Sequence, residues 1–214
     1  AASAETIAPH KVNSFKQEVA VMYGTADGLP SADVRAIALA PDGALVAGAT
    51  RGVAHLREGR WTVSKTMYDK LALCLAVGGD GLYVATDSAI YHLTGTATQT
   101  IIRQLPETPT ALAAGSDTVW LGTQQGLFQI RDNKAVSEES LNVLLTGDNA
   151  IRQIAIHADG RVAVAASAGL FLREDNEWKR LLPQQGTASW AVHDVRGVAF
   201  DTDGRLWFSS PQGV

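Results

Sequence analysis

One pattern occurs five times along the chain, and a repeat of this kind restricts the fold more than any other feature of the sequence. It reads Leu45-Val46-Ala47-Gly48-Ala49-Thr50-Arg51-Gly52-Val53, then Leu82-Tyr83-Val84-Ala85-Thr86-Asp87-Ser88-Ala89-Ile90. The third copy is Val119-Trp120-Leu121-Gly122-Thr123-Gln124-Gln125-Gly126-Leu127. Val162 to Leu170 and Leu206 to Val214 supply the fourth and fifth. The second residues of the copies, 46, 83, 120, 163 and 207, lie 37, 37, 43 and 44 residues apart. Positions 52, 89, 126, 169 and 213 give the same separations, and agreement at two independent columns argues against chance.

Each copy has similar surroundings. An apolar alternation precedes it and closes in a tight turn: Val34, Ile37, Leu39 before Asp42-Gly43; Ile151, Ile154, Ile156 before Asp159-Gly160; Val195, Val198, Phe200 before Asp203-Gly204. Asp-Gly between alternating strands is a strong hairpin signal, because glycine supplies the positive φ that the turn needs. A further strand and turn follow, as in Leu56-Arg57-Glu58-Gly59, Ile130-Arg131-Asp132-Asn133 and Leu172-Arg173-Glu174-Asp175, and then an outer segment such as Arg60-Trp61-Thr62-Val63. No stretch keeps a helical apolar period, apart from the short Ser137 to Leu145. The expectation is an all-β protein, a β-propeller of four-stranded blades with about five blades visible. A β-sandwich offers no reason for a repeated four-strand unit.

Composition narrows the function classes. Lys and Arg number 18 against 22 Asp and Glu, so 18 − 22 gives a net charge of −4 and no basic stripe for nucleic acid. Charged residues make up 19% and hydrophobic residues 46% of the 214, enough for a core and against intrinsic disorder. The longest apolar run, Val162 to Leu172, falls well short of the ~18 residues of a membrane span, so no membrane insertion is expected within this segment. The single cysteine, Cys74, lies in the apolar run Leu71 to Val77 and reads as a small buried hydrophobe. The start Ala1-Ala2-Ser3-Ala4-Glu5 resembles a chain after signal-peptide cleavage, and a periplasmic or secreted location is the expectation, although an expression boundary would look the same.

The blades carry no Trp-Asp ending of the WD40 kind, no Gly-Gly pair of the kelch kind and no Ser-x-Asp-x-Gly-x-Thr-Trp motif of the sialidase kind. Asp27-Gly28-Leu29-Pro30-Ser31 and Val119-Trp120-Leu121-Gly122-Thr123 leading into Gly126-Leu127 instead resemble the two-component regulator propeller repeat. Its pattern is an Asp-Gly-Leu-Pro-Ser opening, an Asp-x-x-Gly turn and a Leu-Trp-Ile-Gly-Thr strand before Gly-Leu. Blades two and four match it only in outline. The resemblance covers roughly Ala26 to Val214 and rests on structural residues. It implies a ligand-sensing propeller of hybrid histidine kinases and a ring of seven blades.

Residues 1–18 read as an N-terminal extension and 19–214 as the propeller, with its fifth blade truncated. Val19-Ala20-Val21-Met22-Tyr23 takes the place of an outermost strand that would help close the ring. A blade cut between its second and third strands leaves sheet edge and face unpaired. The expectation is therefore a larger ring, completed by the remainder of the same polypeptide or by a partner chain.

The candidate ligand site rests on one column. Arg35, Arg152 and Arg196 each follow the first apolar residue of an innermost strand, at the face where blade openings and second-to-third-strand turns converge. Guanidiniums gathered there would take carboxylate or sulfate bidentately, or else pair with Asp33 and Asp194 nearby. Gln124, Gln125 and Gln212, in second-to-third-strand turns, would supply neutral sugar contacts. His193-Asp194 reads either as a base with its orienting carboxylate or as a polar loop pair. Trp190, in the loop Gly186 to Ala191, reads either as a sugar-stacking platform or as packing on its own blade. Trp61, Trp178, Trp120 and Trp207 recur at like positions and read as structural anchors. Asp201-Thr202-Asp203-Gly204 opens like a calcium loop but lacks the later ligands and reads as a hairpin turn. His10, His55, His92 and His157 have no metal-ligand spacing, and no metal site or cofactor is proposed.

The preferred function is an extracytoplasmic β-propeller binding module resembling ligand-sensing, signal-transducing domains, whose expected ligand is a carbohydrate or an acidic polysaccharide fragment. The alternatives are a propeller-based polysaccharide lyase or glycoside-active enzyme, and a protein-interaction scaffold; the fold itself does not choose among them. No catalytic residue is assigned.

Overall fold

A computed structural model describes residues 21–40, 42–95, 97–183 and 193–213. Four four-stranded antiparallel sheets and one two-stranded sheet follow each other along the chain. Blade 1 comprises β1 (Val34–Leu39), β2 (Leu45–Ala49), β3 (Gly52–Arg57) and β4 (Arg60–Val63). Blade 2 comprises β5 (Cys74–Gly78), β6 (Gly81–Ala85), β7 (Ile90–Thr94) and β8 (Ala97–Ile102). Blade 3 is built of β9 (Pro109–Ala114), β10 (Val119–Thr123), β11 (Gly126–Arg131) and β12 (Lys134–Ser137). Blade 4 is built of β13 (Ile151–Ile156), β14 (Val162–Ala166), β15 (Gly169–Glu174) and β16 (Glu177–Leu182). Blade 5 shows β17 (Gly197–Phe200) and β18 (Leu206–Ser209). In each complete sheet the strands lie in chain order, as hairpin connections require.

The turns follow the residue chemistry. Gly43, Gly160 and Gly204 adopt φ of 80°, 92° and 76° in the first hairpins. The third hairpins place two successive residues at positive φ, Glu58-Gly59, Asp132-Asn133 and Asp175-Asn176, as a type I′ turn demands. At the second-to-third-strand turn a hydroxyl takes over: Thr123 Oγ1 accepts from the Gln125 N–H at 3.0 Å and donates to the Gly126 carbonyl at 3.2 Å. Ser210 Oγ makes the same pair of bonds with Gln212 and Gly213.

The first strands are the axial ones: β1 packs beside β5, β5 beside β9, β9 beside β13, and β13 beside β17. The core is a series of clusters between successive blades. Trp120, Ala111, Ile151, Ile154, Val164 and Phe171 form the one joining blades 3 and 4. Trp120 and Trp178 meet edge to face with ring centroids 6.0 Å apart. Backbone bonds repeat across the junctions, Ala72 N–H to the Ala49 carbonyl between blades 1 and 2 and Val195 N–H to the Ala166 carbonyl between blades 4 and 5, each at 3.0 Å.

Two expectations need correction. Val21, Met22 and Tyr23 form no strand; all three are exposed, and Tyr23 lies edge to face with Trp61 at 6.0 Å. Residues 19 and 20 of the expected closing strand lie outside the described residues. Trp207 does not share the burial of Trp61, Trp120 and Trp178: it is 55% exposed, and among the described residues no further sheet follows that of β17 and β18. The short period between Ser137 and Leu145 yields one helical turn, α1 (Glu139–Asn142), whose Asn142 side chain both accepts from the Leu127 N–H and donates to the Leu127 carbonyl. It thus supplies at the edge of β11 the bonding pattern of another strand.

Candidate functional site

Two members of the arginine column, Arg35 and Arg152, stand at β-bulges. Opposite Ala49, strand β1 places Val34, and the next paired residue is Ala36, which leaves Arg35 as the extra residue. In β13 the same slip between Ile151 and Gln153 leaves Arg152 unpaired. In β9 it leaves Thr110, whose Oγ1 donates to the Ile151 carbonyl at 2.6 Å. A bulge bends the strand and re-aims the extra side chain, so these residues leave the plane of inter-blade packing that their neighbours obey. Alternation alone gives no sign of it.

Two of the three arginines come together. Arg152 Nη2 lies 2.9 Å from Asp194 Oδ1, and Arg196 Nε donates to Asp194 Oδ2 at 3.2 Å. Asp194 is held at φ 50° by its N–H bond to the Ser167 carbonyl, in a left-handed conformation that aspartate tolerates better than most residues. One carboxylate therefore bridges blades 4 and 5 and sets two guanidiniums side by side, with an excess of one positive charge (2 − 1). Both guanidiniums remain substantially exposed and keep donors free for a ligand. Arg35 is different: its Nη2 donates at 2.6 Å to Asp33 of its own blade. The pairing weighed as an alternative is the arrangement found, and it positions the guanidiniums of Arg152 and Arg196 at the same time.

The remaining residues divide. Gln124 and Gln125 are exposed in the β10–β11 turn, at the same end of their blade as the bulges, and Gln212 is exposed in the corresponding turn of blade 5. His193 is exposed, and the carboxylate of its neighbour Asp194 is directed to the two arginines. The geometry therefore gives no support to a base with an orienting carboxylate. Trp190 lies outside the described residues. Cys74 is partly buried, and that burial pushes its thiol up to about 11, so it is an inert thiol.

A further concavity lies elsewhere, at the opposite end of the strands. A groove of about 710 Å³ separates blades 1 and 2 and is lined by His55, Thr62, Ser64, Lys65, Asp80 and Thr98 among others. Thr66 Oγ1 and Thr98 Oγ1 lie 2.6 Å apart and tie the two blades along it. Burial, together with the nearby Arg57, holds His55 below its ordinary 6.5, and Asp42 opposes that shift. Its residues are scattered over five strands, β3, β4, β6, β7 and β8, and their turns with no repeating column, which is why no sequence signature marks it. On the same end of blade 4, Asp159 takes a bond from the Arg161 backbone N–H and contacts from His157 and the Arg161 side chain, which bring it down to about 2. Arg161 then reaches the Gly204 carbonyl of blade 5 at 3.1 Å, so this cluster is a clasp between blades. Among the described residues no group of three His, Cys, Asp or Glu is arranged to hold a metal.

Comparison with known proteins agrees with this architecture. No family model and no curated protein sequence matches the chain. Among solved structures, the extracellular domain of the hybrid two-component system BT4673 of B. thetaiotaomicron is similar over 87% of this chain and 28% of its own, with 19% identity and a TM-score of 0.63. That of BT3049 from the same organism covers 84% and 26%, at 17% identity and a TM-score of 0.58. Virginiamycin B lyase of Staphylococcus aureus covers 87% and 69%, at 14% identity and a TM-score of 0.63. The chain thus spans about a quarter of the length of the two extracellular domains. At these identities the likeness establishes the propeller fold.

Proposed function

We propose that this chain belongs to an extracytoplasmic propeller that binds a carbohydrate ligand carrying acidic groups and serves as a ligand-sensing module. The observation that carries the reading is the pair of guanidiniums, Arg152 and Arg196, set by Asp194 at the axial end of adjacent blades. A uronate carboxylate or a sulfate placed there meets donors already oriented, so little side-chain entropy is lost on binding. Gln124 and Gln125 lie on the same end and offer amide groups suited to sugar hydroxyls. Similarity in fold to extracellular domains of hybrid two-component systems supports the sensing role and the location outside the cytoplasm. A binding role rather than catalysis is favoured because Asp194, the carboxylate available to His193, is engaged by arginines.

The test is calorimetric titration of uronate-containing and sulfated oligosaccharides into the protein and its Arg152→Ala variant. The variant should bind an acidic oligosaccharide more weakly by ~1.5–3 kcal/mol, the scale of a charge-assisted hydrogen bond. Equal affinities, or no acidic glycan bound by either protein, would overturn the reading. Growth of absorbance at 235 nm on incubation with a uronate polymer would reveal unsaturated product and replace it with a lyase.

A further inference from the structure

The junction between blades 3 and 4 is closed by aromatic side chains at fixed ladder positions. In blade 4 one row crosses the sheet from Val162 through Arg173 to Trp178 on the outermost strand. It faces the preceding blade and meets Trp120, the second residue of that blade's repeat copy. Trp178 stands edge to face with Trp120 at 6.0 Å, and the Arg173 guanidinium lies 5.5 Å from the centre of the Trp120 ring. Both indoles are buried.

In blade 2 the same row reads Leu82, Leu93 and Thr98, and the residue facing it from blade 1 is Val46. Both tryptophan places at the junction of blades 1 and 2 are therefore held by small side chains, and the arginine place by leucine. At the junction of blades 2 and 3 one aromatic, Tyr83, still stands in the Trp120 column. The groove of about 710 Å³ opens where the aromatics are missing, with Leu82, Leu93 and Thr98 in its wall. Its volume falls within the ~300–1,000 Å³ of small-molecule sites. Its sides are the faces of two packed sheets, a geometry in which stacked sheets stand about 10 Å apart, so the gap left by an absent indole suits a flat ring.

The polar groups along the groove select what the ring carries. Arg57 and Asp42 bond each other, Asp80 accepts from the Tyr83 hydroxyl at 3.1 Å, and Lys65 is exposed. His55 is half-buried in the wall, and among the described residues neither of its ring nitrogens has a hydrogen-bond partner. Burial keeps its pKa below 6.5, so at neutral pH one ring nitrogen is an acceptor. We propose that the groove between blades 1 and 2 binds a small molecule with a planar aromatic ring system bearing an O–H or N–H donor. The ring takes the place that Trp178 fills between blades 3 and 4, and the donor bonds His55. This site lies at the opposite end of the strands from Arg152 and does not depend on the acidic-ligand reading.

Calorimetric titration with 2-naphthol at neutral pH tests the proposal, with two comparators: 2-methoxynaphthalene keeps the ring and lacks the donor, and decahydro-2-naphthol keeps the hydroxyl and lacks the flat ring. 2-Naphthol should bind one to one, and each comparator should bind about tenfold more weakly or worse, the scale of one hydrogen bond or of a lost ring contact. Thr98→Trp rebuilds in blade 2 the arrangement of blade 4 and should weaken 2-naphthol by about tenfold or more. If that variant does not unfold cooperatively, Thr62→Tyr, at an exposed position of the facing wall, blocks the groove instead. Arg152→Ala should leave 2-naphthol affinity unchanged, which separates this site from the acidic-ligand one. Absence of saturable binding, equal affinity for decahydro-2-naphthol or 2-methoxynaphthalene, or undiminished binding to a folded groove-blocked variant would overturn the proposal. So would loss of binding in Arg152→Ala, or binding of a tryptophan-containing peptide where 2-naphthol does not bind.

Discussion

Trp120 shows how much of the stability of such a repeat rests on single side chains. It is fully buried between blades 3 and 4, edge to face with Trp178, with the Arg173 guanidinium 5.5 Å from its ring centre. Trp120→Ala empties that volume from a core built of two sheets that cannot collapse toward each other, and should cost ~3–5 kcal/mol in chemical denaturation. Trp120→Phe should cost less, because the indole N–H has no hydrogen-bond partner among the described residues and only volume is lost.

At the scale of the strand, the glycine that opens the third strand of blades 1, 3 and 4 is set by what crosses over it. Gly169 has φ 133°, and a β-carbon there would run into the Leu182 carbonyl of the outermost strand. Gly126, at φ 134°, meets the Asn142 side chain in the same way, at 2.5 Å. Gly160 also has positive φ, 92°, but stands in open space. Both substitutions with alanine meet backbone strain, of the order of 1–3 kcal/mol, and only Gly169→Ala adds a collision with backbone. Urea unfolding should therefore rank Gly169→Ala well below Gly160→Ala in stability; equal losses would show that β16 moves aside freely.

For the whole molecule, the groove between blades 1 and 2 links folding to pH. His55 has its folded-state pKa held below 6.5, first by burial and then by Arg57. Above pH 6.5 the imidazole is neutral in both folded and unfolded chains and contributes nothing to the pH dependence. As pH falls through 6.5 the unfolded chain takes up the proton first, and stability declines until the lower folded-state value is passed. Denaturation midpoints of the wild-type chain should thus fall between pH 7 and 5 relative to those of His55→Gln. The lowered carboxylates Asp42, Asp159 and Asp201 act in a separate window, where stability is lost as pH drops below about 4. A His55→Gln profile parallel to wild type down to pH 5 would remove the histidine from the account.

The architecture was legible in the sequence because blade geometry is written locally: Asp-Gly at the first hairpin, the Gly-Leu or Gly-Val step after the second strand, and an apolar alternation of period two all act within a few residues. Five copies of that local grammar were enough to specify a propeller. The arginine column was legible as a column, but the bulges at Arg35 and Arg152 and the carboxylate that joins Arg152 to Arg196 were not. A bulge is decided by how one strand pairs with its neighbour, and that pairing involves residues some 15 positions apart. The groove lined by His55, Asp80 and Thr98 had no sequence signature either, since it exists only where two blades diverge. Likewise, which tryptophan is core and which is surface depends on whether another blade stands beside it. Sequence carried the repeating unit, whose forces are short-ranged; the tertiary structure alone decided the contacts between units, because those depend on how neighbouring sheets pair and twist.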